Sequence, residues 1–506
     1  MANDDDELDL GSLRIVLHGE TEQFDKYPAL KAKRHAVTVA KHLQASEGLI
    51  FLRGNKIEAY PDSDQPRPFR QDRYFSYLSG VNEQGCQLSY DIQRQTLTLY
   101  IPKPSVQYAL WNGEQLSKSH AMSRYDIDNV RFNQDAHADL NEWVRKNGRA
   151  SVYLLHQGAF LVRKLKLDLR ESQLNSDDLQ PAMNKARVRK CPHEIKLIRR
   201  ANDVTASAHR AVLRSILKLK NEAEIEALFL QACISQGAKN QAYEIIAASG
   251  TNASTLHYVK NDEPLKGRQL VCLDAGCEWD CYASDVTRTF PISGSWSPEA
   301  KLVHGMVQKI QDACIREIKP GKNYVGIHRL AERMVIEALQ ALGILKGDTE
   351  DIISTGTVKA FFPHGLGHHL GLEVHDVFTP QLLGRTSLSK HDQVTLQPPL
   401  PPDHGAGSLD SAEGEEQQNL EEDMVVTIEP GIYFCRPLVA IFLKSPQHRQ
   451  FIDAKTLERY WAVGGVRIED NVLVTQDGYE VLSTAPRADE MMELINGQEV
   501  DMGVGQ

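Results

Sequence analysis

Residues 269–291, QLVCLDAGCEWDCYASDVTRTFP, place two aspartates inside apolar segments, and this feature restricts the fold more than any other. Residues 271–276 alternate with the period of two that is typical of a β-strand, and residues 282–290 have a second β-like composition. Asp274 and Asp285 are therefore expected in adjacent strands. A carboxylate in an apolar strand is costly to bury unless it is paired or bound to a metal ion. Two such charges that converge predict a divalent cation between them.

Three further segments supply side chains of the metal-ligand type. Residues 361–376, FFPHGLGHHLGLEVHD, are rich in histidine and glycine. Residues 424–434, MVVTIEPGIYF, predict an apolar strand that Pro430-Gly431 ends, and residues 464–473, GGVRIEDNVL, predict a third strand. The ligand-type and cationic residues in these segments are His364, His368, His369, His375, Glu429, Arg467, Glu469 and Asp470. The two aspartates, with one histidine and two glutamates from these segments, would form a ligand set that is rich in oxygen and has one imidazole. Such a set suits Mn, Co, Fe or Zn pairs better than a closed cysteine-type zinc site.

Composition excludes several classes of protein. The chain has 506 residues, which is enough for two or three domains, and a net charge of −11, which argues against a phosphate-binding footprint for nucleic acid. No apolar run reaches the length of a membrane helix, and the acidic start MANDDDELDLG does not read as a signal peptide. Cys272, Cys277 and Cys281 have a spacing that fits no common zinc pattern. We therefore expect reduced thiols, a cytoplasmic location and neither membrane nor nucleic-acid partners.

The chain divides into predicted regions by composition. Residues 1–12 are expected to be a disordered leader, residues 13–180 an N-terminal α/β domain, and residues 185–490 the domain that carries the acids and histidines. Residues 171–190 are polar and basic and are interpreted as the connection. Residues 379–423 combine proline, glycine and acidic runs and predict a solvated loop insertion. The regular elements predicted are helices at 27–43, 192–217, 222–237, 297–318 and 325–342 and strands at 48–54, 87–92, 96–102, 150–155 and 243–249.

These segments resemble the pita-bread metallopeptidases, and in particular their proline-directed branch of Xaa-Pro aminopeptidase and Xaa-Pro dipeptidase (prolidase). The stretches that carry the resemblance are LDAGCEWDCYASDVTRTFP, PHGLGHHLGLEVHD, TIEPGIYF and GGVRIEDNVL, in that order, with FRQDRYFSYLSG near the N-terminus. The resemblance implies an α/β fold in which a creatinase-like N-terminal domain precedes a pita-bread catalytic domain, α+β and pseudo-symmetric.

The same resemblance implies roles for the site residues. The ligands of two divalent ions, with Mn²⁺ as the expected metal, would be Asp274, Asp285, His368, Glu429 and Glu469. Asp285 and Glu469 would bridge the ions, and Glu429 would also act as general base and then acid. Of the other catalytic residues implied, His257 and His375 would donate hydrogen bonds to the substrate and the tetrahedral intermediate. His364 and Arg467 would line the cleft, where Arg467 would either hold a substrate carbonyl or order the metal carboxylates. Tyr243 would donate to a ligand. His369 receives no role.

Two classes of function follow. The first is a hydrolase that releases the N-terminal residue ahead of a penultimate proline, with Xaa-Pro dipeptidase as its near alternative; the second is a non-catalytic module of the same fold. A serine hydrolase elbow and a P-loop are both absent from the sequence. The GLRSLR-like motif of prolidases is not found before Met424, since Arg385 lies in GRTSLS and an acidic run fills residues 413–423. We therefore expect the substrates to be peptides that are longer than dipeptides and have proline in second position. Whether the chain forms a homodimer stays open.

Overall fold

The computed structural model describes residues 31–155, 173–383 and 418–497, and the N-terminal part is built on one mixed sheet. Its strands are β1 (Leu49–Arg53), β2 (Gln87–Asp91), β3 (Thr96–Ile101), β4 (Asn129–Phe132), β5 (Val152–Tyr153) and β6 (Leu174–Asn175), in the spatial order β4-β3-β2-β1-β5-β6. The predicted hairpin is confirmed, because β2 and β3 pair antiparallel. In β3, Leu97 and Leu99 are fully buried between half-exposed threonines. The helices of this part are α1 (Ala32–His42), α2 (Arg73–Ser79), α3 (Val106–Asn112), α4 (Lys118–Arg124) and α5 (Asn133–Lys146).

The segment predicted as a polar, basic connection is a buried helix in the structure. Helix α6 (Leu179–Val188) packs against α1 and buries Leu179 and Met183 completely. Arg187 is also buried, and its Nη2 donates to Asp376 Oδ1 at 2.6 Å. Lys190, just beyond the helix, lies 3.1 Å from Asp376 Oδ2. Both cations neutralise one buried carboxylate 186 or more positions away, which local composition does not reveal. The assignment of residues 171–190 as the connection between domains stays a prediction.

In the described residues from 192 to 497, the second part of the chain contains three short sheets and a hairpin. Their strands are β7 (Ile246–Ser249), β8 (Leu270–Asp274), β9 (Glu278–Trp279), β10 (Tyr282–Ala283), β11 (Thr287–Pro291), β12 (Val425–Ile428), β13 (Gly431–Tyr433), β14 (Gly465–Arg467), β15 (Asp470–Val474) and β16 (Tyr479–Val481). The sheets are β11-β8-β7, β12-β15-β16 and β13-β14, and β9 pairs with β10. The helices that cover them are α7 (Pro192–Ser215), α8 (Glu222–Ser235), α9 (Pro298–Arg316), α10 (Tyr324–Ala341), α11 (Thr349–Thr355), α12 (Thr379–Leu382), α13 (Arg436–Lys444), α14 (Pro446–Arg449), α15 (Ala454–Leu457) and α16 (Ala488–Ile495).

The two aspartates are brought together by an antiparallel pair of strands. β8 and β11 pair with Thr287 opposite Asp274, so that Asp285, two residues before Thr287, lies beside the end of β8. Between them the chain makes a tight excursion through β9 and β10. A Cβ on Gly276 would collide with the carbonyl oxygen of Ser284, so this close approach requires glycine. The prediction that the two carboxylates lie in adjacent strands is correct for Asp274, and Asp285 lies just ahead of its strand.

Glu429 and Glu469 do not lie inside strands as predicted, but at a crossover between two sheets. β12 ends at Ile428, which pairs with Asp470, and β13 begins at Gly431, which pairs with Arg467. Pro430 has no N–H to continue the first ladder, so β12 ends before it as predicted, and the chain enters the second sheet at Gly431. The partner strand 464–473 is likewise two strands, β14 and β15. Both glutamates therefore lie where the chain passes from one sheet to the other, and their side chains face the cleft.

Part of the predicted insertion, 379–423, packs on the domain. Thr379 and Leu382 of α12 and Leu420 beyond the gap are buried, so the ends of the segment are not solvated as expected. Its interior, residues 384–417 with Arg385, and the predicted leader lie outside the described residues. The domain boundaries at 180 and 185 stay predictions. Among the described helices, none combines the length and apolar character needed to span a bilayer.

Candidate metal centre

All nine residues predicted for the site line one cavity of about 370 Å³. The two aspartates come from the β8–β11 pair, and the two glutamates come from the sheet crossover. His364, His368 and His375 lie in the loop before α12, Arg467 ends β14, and His257 lies between β7 and β8. Asp470 does not belong to the lining, because its carboxylate accepts from Arg288 Nη2 at 2.7 Å in the core. His369 is also outside it and contacts Gln418. The remaining lining residues include Tyr243, Glu244, Leu256, Val259, Val374, Pro380 and Leu383.

Three of the five predicted ligands converge on one imidazole nitrogen of a fourth, His368. His368 Nε2 lies 3.3 Å from Asp285 Oδ2, 3.4 Å from Glu429 Oε1 and 4.0 Å from Glu469 Oε1. His368 Nδ1 is 3.0 Å from the carbonyl oxygen of His369, which can only accept, so Nδ1 carries the hydrogen and directs Nε2 at the acids. This is the arrangement in which a histidine serves as a metal ligand.

The fifth ligand candidate, Asp274, is held by two donors. The hydroxyl of Tyr243 donates to Asp274 Oδ1 at 2.6 Å, as predicted for that tyrosine, and Arg467 Nη2 donates to Oδ2 at 2.6 Å. Arg467 is only 4% exposed and also donates to the hydroxyl of Tyr433 at 3.0 Å. Of the two roles considered for Arg467, ordering a carboxylate and holding a substrate carbonyl, the geometry agrees with the first.

The donor set fits a pair of divalent cations. Asp285 Oδ1 and Glu469 Oε1 are buried and have no hydrogen-bond partner, which is costly for carboxylate oxygens unless a cation binds them. One ligand atom each from Asp285, His368 and Glu469 lie within 4.8 Å of one another. Four carboxylates balance two divalent charges, and no thiol of the described residues enters the cavity.

Burial raises the pKa values of three of the four acids of the site, Asp274, Glu429 and Glu469. Burial raises the pKa of Glu469 well above its usual value and that of Glu429 to about 8, and the neighbouring carboxylates add to both effects. Burial also raises the pKa of Asp274. Burial opposes the charge of His368, but Asp285 and Glu429 outweigh it and raise the pKa of the imidazole to about 9. Excess negative charge in a low-dielectric cavity is the field that attracts cations.

The three other histidines of the cavity differ in setting. Burial lowers the pKa of His375 well below its usual value, and its ring lies 4.0 Å from that of His368, centroid to centroid. Burial beside Arg467 lowers the pKa of His364 to about 3. Both are therefore neutral at pH 7, and the N–H of His364, on Nδ1, already donates to the carbonyl oxygen of Gly365 at 2.8 Å. His257 is exposed at the mouth.

Sequence reasoning missed the residues that hold this constellation. Tyr433 joins Arg467 to His364 through its hydroxyl, at 3.0 Å and 2.8 Å, and Thr287 Oγ1 donates to Glu469 Oε2 at 2.7 Å. Tyr433 follows Glu429 in IEPGIYF, and its alternation with Gly431 was a usable signal. The pairing of Thr287 with Glu469 spans 182 positions and leaves no local trace.

Glu222 is a second missed residue, and it holds the segment that carries His257. Its buried carboxylate accepts hydrogen bonds from the backbone and hydroxyl of Ser249, from Asn252, from the hydroxyl of Tyr258 and from the backbone of Glu263. The five hydrogen bonds that this one carboxylate accepts hold residues 249–263 against helix α8. His257 precedes Tyr258 directly, so its place at the mouth depends on this anchor.

We expect Glu222→Gln to lower the free energy of unfolding by about 1.5–3 kcal/mol. The amide nitrogen of glutamine would face N–H or O–H donors from which a carboxylate oxygen now accepts hydrogen bonds. Urea titration measures the change. Glu224→Gln is the control, since Glu224 is exposed two residues further along the same helix and accepts a single hydrogen bond, from the backbone of Lys220, that the amide oxygen can keep. Equal stability of the two variants would contradict the anchoring role.

The chain is similar to known proteins over nearly its whole length. The chain matches the model of metallopeptidase family M24 over residues 196–476 and that of the aminopeptidase P N-terminal domain over residues 31–153. It is 49% identical over 491 residues to a probable Xaa-Pro aminopeptidase of Aspergillus niger, covering 96% of this chain and 95% of that protein. Among solved structures it is similar to the aminopeptidase PepP of Pseudomonas aeruginosa, with 28% identity, a TM-score of 0.74 and coverage of 92% and 98%. A zinc-substituted aminopeptidase P of Escherichia coli in complex with product, 24% identical with a TM-score of 0.74 and coverage of 92% and 98%, shares the fold.

Proposed function

The chain belongs to metallopeptidase family M24, and from this premise we propose that it is an Xaa-Pro aminopeptidase, which releases the N-terminal residue ahead of a penultimate proline. The predicted family and the predicted fold class, an N-terminal α/β domain before a catalytic α+β domain, are confirmed. The observation that carries the activity is the convergence of Asp285, Glu429 and Glu469 on His368 in a chain that matches such enzymes over nearly its whole length.

We propose that Asp274, Asp285, His368, Glu429 and Glu469 hold two divalent cations, with Mn²⁺ as the metal. The unpartnered oxygens Asp285 Oδ1 and Glu469 Oε1 support this, and an oxygen-rich set suits Mn²⁺. When bound, a divalent pair polarises the scissile carbonyl and lowers the pKa of a coordinated water.

The side chains of the chain itself would then place the substrate and move one proton. Glu429 takes a proton from the attacking water and delivers it to the proline nitrogen, which must be protonated to leave as an amine. His375, neutral at pH 7, donates its N–H to the carbonyl oxygen as negative charge develops there. His257, which is exposed and also lines the cavity, donates a hydrogen bond to the substrate. Arg467 and Tyr243 keep Asp274 in place.

The preferred length of the substrate depends on which positively charged side chains line the cavity. Among its described lining residues the single guanidinium is Arg467, and it is already paired with Asp274. A dipeptide presents a free carboxylate directly after proline, which a guanidinium binds best. The cavity offers no unpaired one in the part of the chain that the structure describes.

We therefore expect kcat/KM to be at least about 10-fold higher for Ala-Pro-Ala than for Ala-Pro at equal metal loading, which is the worth of one charge-assisted hydrogen bond. Ala-Pro-amide is the matched control, because it removes the carboxylate without extending the chain, and it should be cleaved better than Ala-Pro. A preference for Ala-Pro over both would assign the chain to the dipeptidase alternative.

We also propose that the protein is a homodimer and that it lies in the cytoplasm. A homodimer is supported by the exposed apolar side chains of helix α3, where Val106, Leu110 and Trp111 are 89%, 77% and 77% exposed. Sedimentation velocity distinguishes it from a monomer of 56.7 kDa. A reducing, cytoplasmic compartment is supported by eight cysteines that are all free thiols.

A further inference from the structure

A second cluster of ligand-type side chains lies between the N-terminal sheet and the catalytic part, and none of its members lines the cleft. His35 comes from helix α1, Cys191 precedes helix α7, and Glu194 lies in its first turn. His35 Nε2 is 3.5 Å from Glu194 Oε2 and 3.5 Å from Cys191 Sγ. One ligand atom from each residue lies within 4.8 Å of the other two.

The imidazole of His35 is oriented by a hydrogen bond through its other ring nitrogen, Nδ1. His35 Nδ1 is 2.8 Å from the carbonyl oxygen of Tyr77, and the two rings stack with centroids 4.2 Å apart. A carbonyl only accepts, so Nδ1 carries the hydrogen and Nε2 is directed at the acid and the thiol. A histidine fixed through its other nitrogen by a backbone carbonyl is the usual arrangement at a metal site.

The carboxylate is fixed in the same way. The hydroxyl of Tyr282 donates to Glu194 Oε1 at 2.9 Å, and the backbone of Cys191 donates to Oε2 at 2.7 Å. His35 and Glu194 are 3% and 2% exposed, whereas Cys191 is half-buried. Two ligand candidates are thus preorganised in the interior, and the thiol marks the side that opens towards solvent.

The spacing between these atoms is that of ligands around one ion. Bond lengths of about 2.0–2.1 Å to nitrogen and oxygen and about 2.3 Å to sulfur, at the tetrahedral angle, separate N and O by about 3.4 Å and N and S by about 3.6 Å. The observed separations are both 3.5 Å. A direct N–H···O bond would instead bring His35 and Glu194 to about 2.7–3.2 Å.

We propose that His35, Cys191 and Glu194 bind a further metal ion, of the Zn²⁺ class, that joins the N-terminal sheet to helix α7. A thiolate and an imidazole favour zinc over manganese, which separates this site from the oxygen-rich cleft. Binding replaces the proton of the Cys191 thiol, and a water completes the tetrahedron on the half-exposed side. The site is structural, because it stands apart from the cavity that would bind the peptide.

Cobalt substitution of the full-length protein tests this, since a thiolate ligand gives Co²⁺ an intense near-ultraviolet charge-transfer band that oxygen and imidazole ligands do not. The cleft lining contains no thiol among the described residues, so the band reports on Cys191. We expect the band in the unaltered protein and its loss in Cys191→Ser and in His35→Asn, with one cobalt fewer per chain. Cys435→Ser, which changes the other half-buried thiol, should keep it.

Peptidase activity of the Mn²⁺-loaded Cys191→Ser variant should stay close to that of the unaltered protein, and this shows that the variant is folded. The absence of the band from the unaltered protein, or its persistence in Cys191→Ser, would overturn the proposal. The cluster would then be a buried pair of imidazolium and carboxylate. Because the readout is spectroscopic, failure of this proposal leaves the proposed peptidase function untouched.

Discussion

Glu429→Gln is expected to lower kcat by about 10²–10⁴-fold, which is the contribution of a positioned acid–base group. The amide keeps the shape of the side chain, and the backbone N–H of Glu429, which donates to Leu366 at 2.8 Å, is unchanged. The fold should therefore persist, while the group that would carry the proton to the proline nitrogen is removed. Release of alanine from Ala-Pro-Ala under saturating substrate measures the effect.

Since Glu429 is also a proposed ligand, metal content must be measured in the same preparation. The informative comparison is kcat at equal metal occupancy. Glu244→Gln is the matched control, because Glu244 lines the same cavity and is not a proposed ligand. The control should stay within a few-fold of the unaltered enzyme. Turnover at the unaltered rate in metal-loaded Glu429→Gln would refute the proton-transfer role.

Glu469→Gln is expected to abolish both activity and the stabilisation that metal gives to the folded state. Glu469 is 1% exposed, and its Oε1 has no partner, whereas Oε2 accepts from Thr287 at 2.7 Å. The amide can keep the bond from Thr287 through its carbonyl oxygen, so the metal-free variant should fold. A ligand present at about 100 times its dissociation constant stabilises the folded state by about 2.7 kcal/mol.

Thermal unfolding with Mn²⁺ and with chelator measures this difference for each protein. The unaltered enzyme and Glu244→Gln should both gain stability with Mn²⁺, and Glu469→Gln should gain little or none. An unchanged metal-induced shift in Glu469→Gln would show that the cation binds elsewhere.

The sequence predicted the elements and residues of the site better than their connections. Asp274 and Asp285 were recognisable because acids interrupt an alternating apolar pattern, and the same reasoning found Glu429 and Glu469. The crossover that carries the two glutamates was not foreseen, because a strand that passes from one sheet to another keeps the same alternation. Composition likewise could not distinguish a polar link from helix α6, whose Arg187 is buried by a distant partner.

Contacts between the two parts of the chain were beyond local reasoning. Arg73 of helix α2 pairs with Glu278 of β9, and Arg70 pairs with Glu373, 303 positions away. These ion pairs join the N-terminal part to strand β9 and to the loop that precedes His375. The cluster of His35, Cys191 and Glu194 also escaped notice, since His35 and Cys191 are 156 positions apart. Periodicity reports which side a residue faces, and not which distant residue it meets.

The central claim is a peptidase that depends on two cations in one cleft, and a metal titration of the metal-free Cys191→Ser variant tests it most directly. Bound Mn²⁺ and the rate of alanine release from Ala-Pro-Ala are measured together, so that each added equivalent is related to activity. The account predicts that activity is absent without metal and saturates at two equivalents per chain. Full activity in the chelated protein, or no bound Mn²⁺ and no cleavage at any concentration, would contradict it, and the second result would favour a non-catalytic module of this fold.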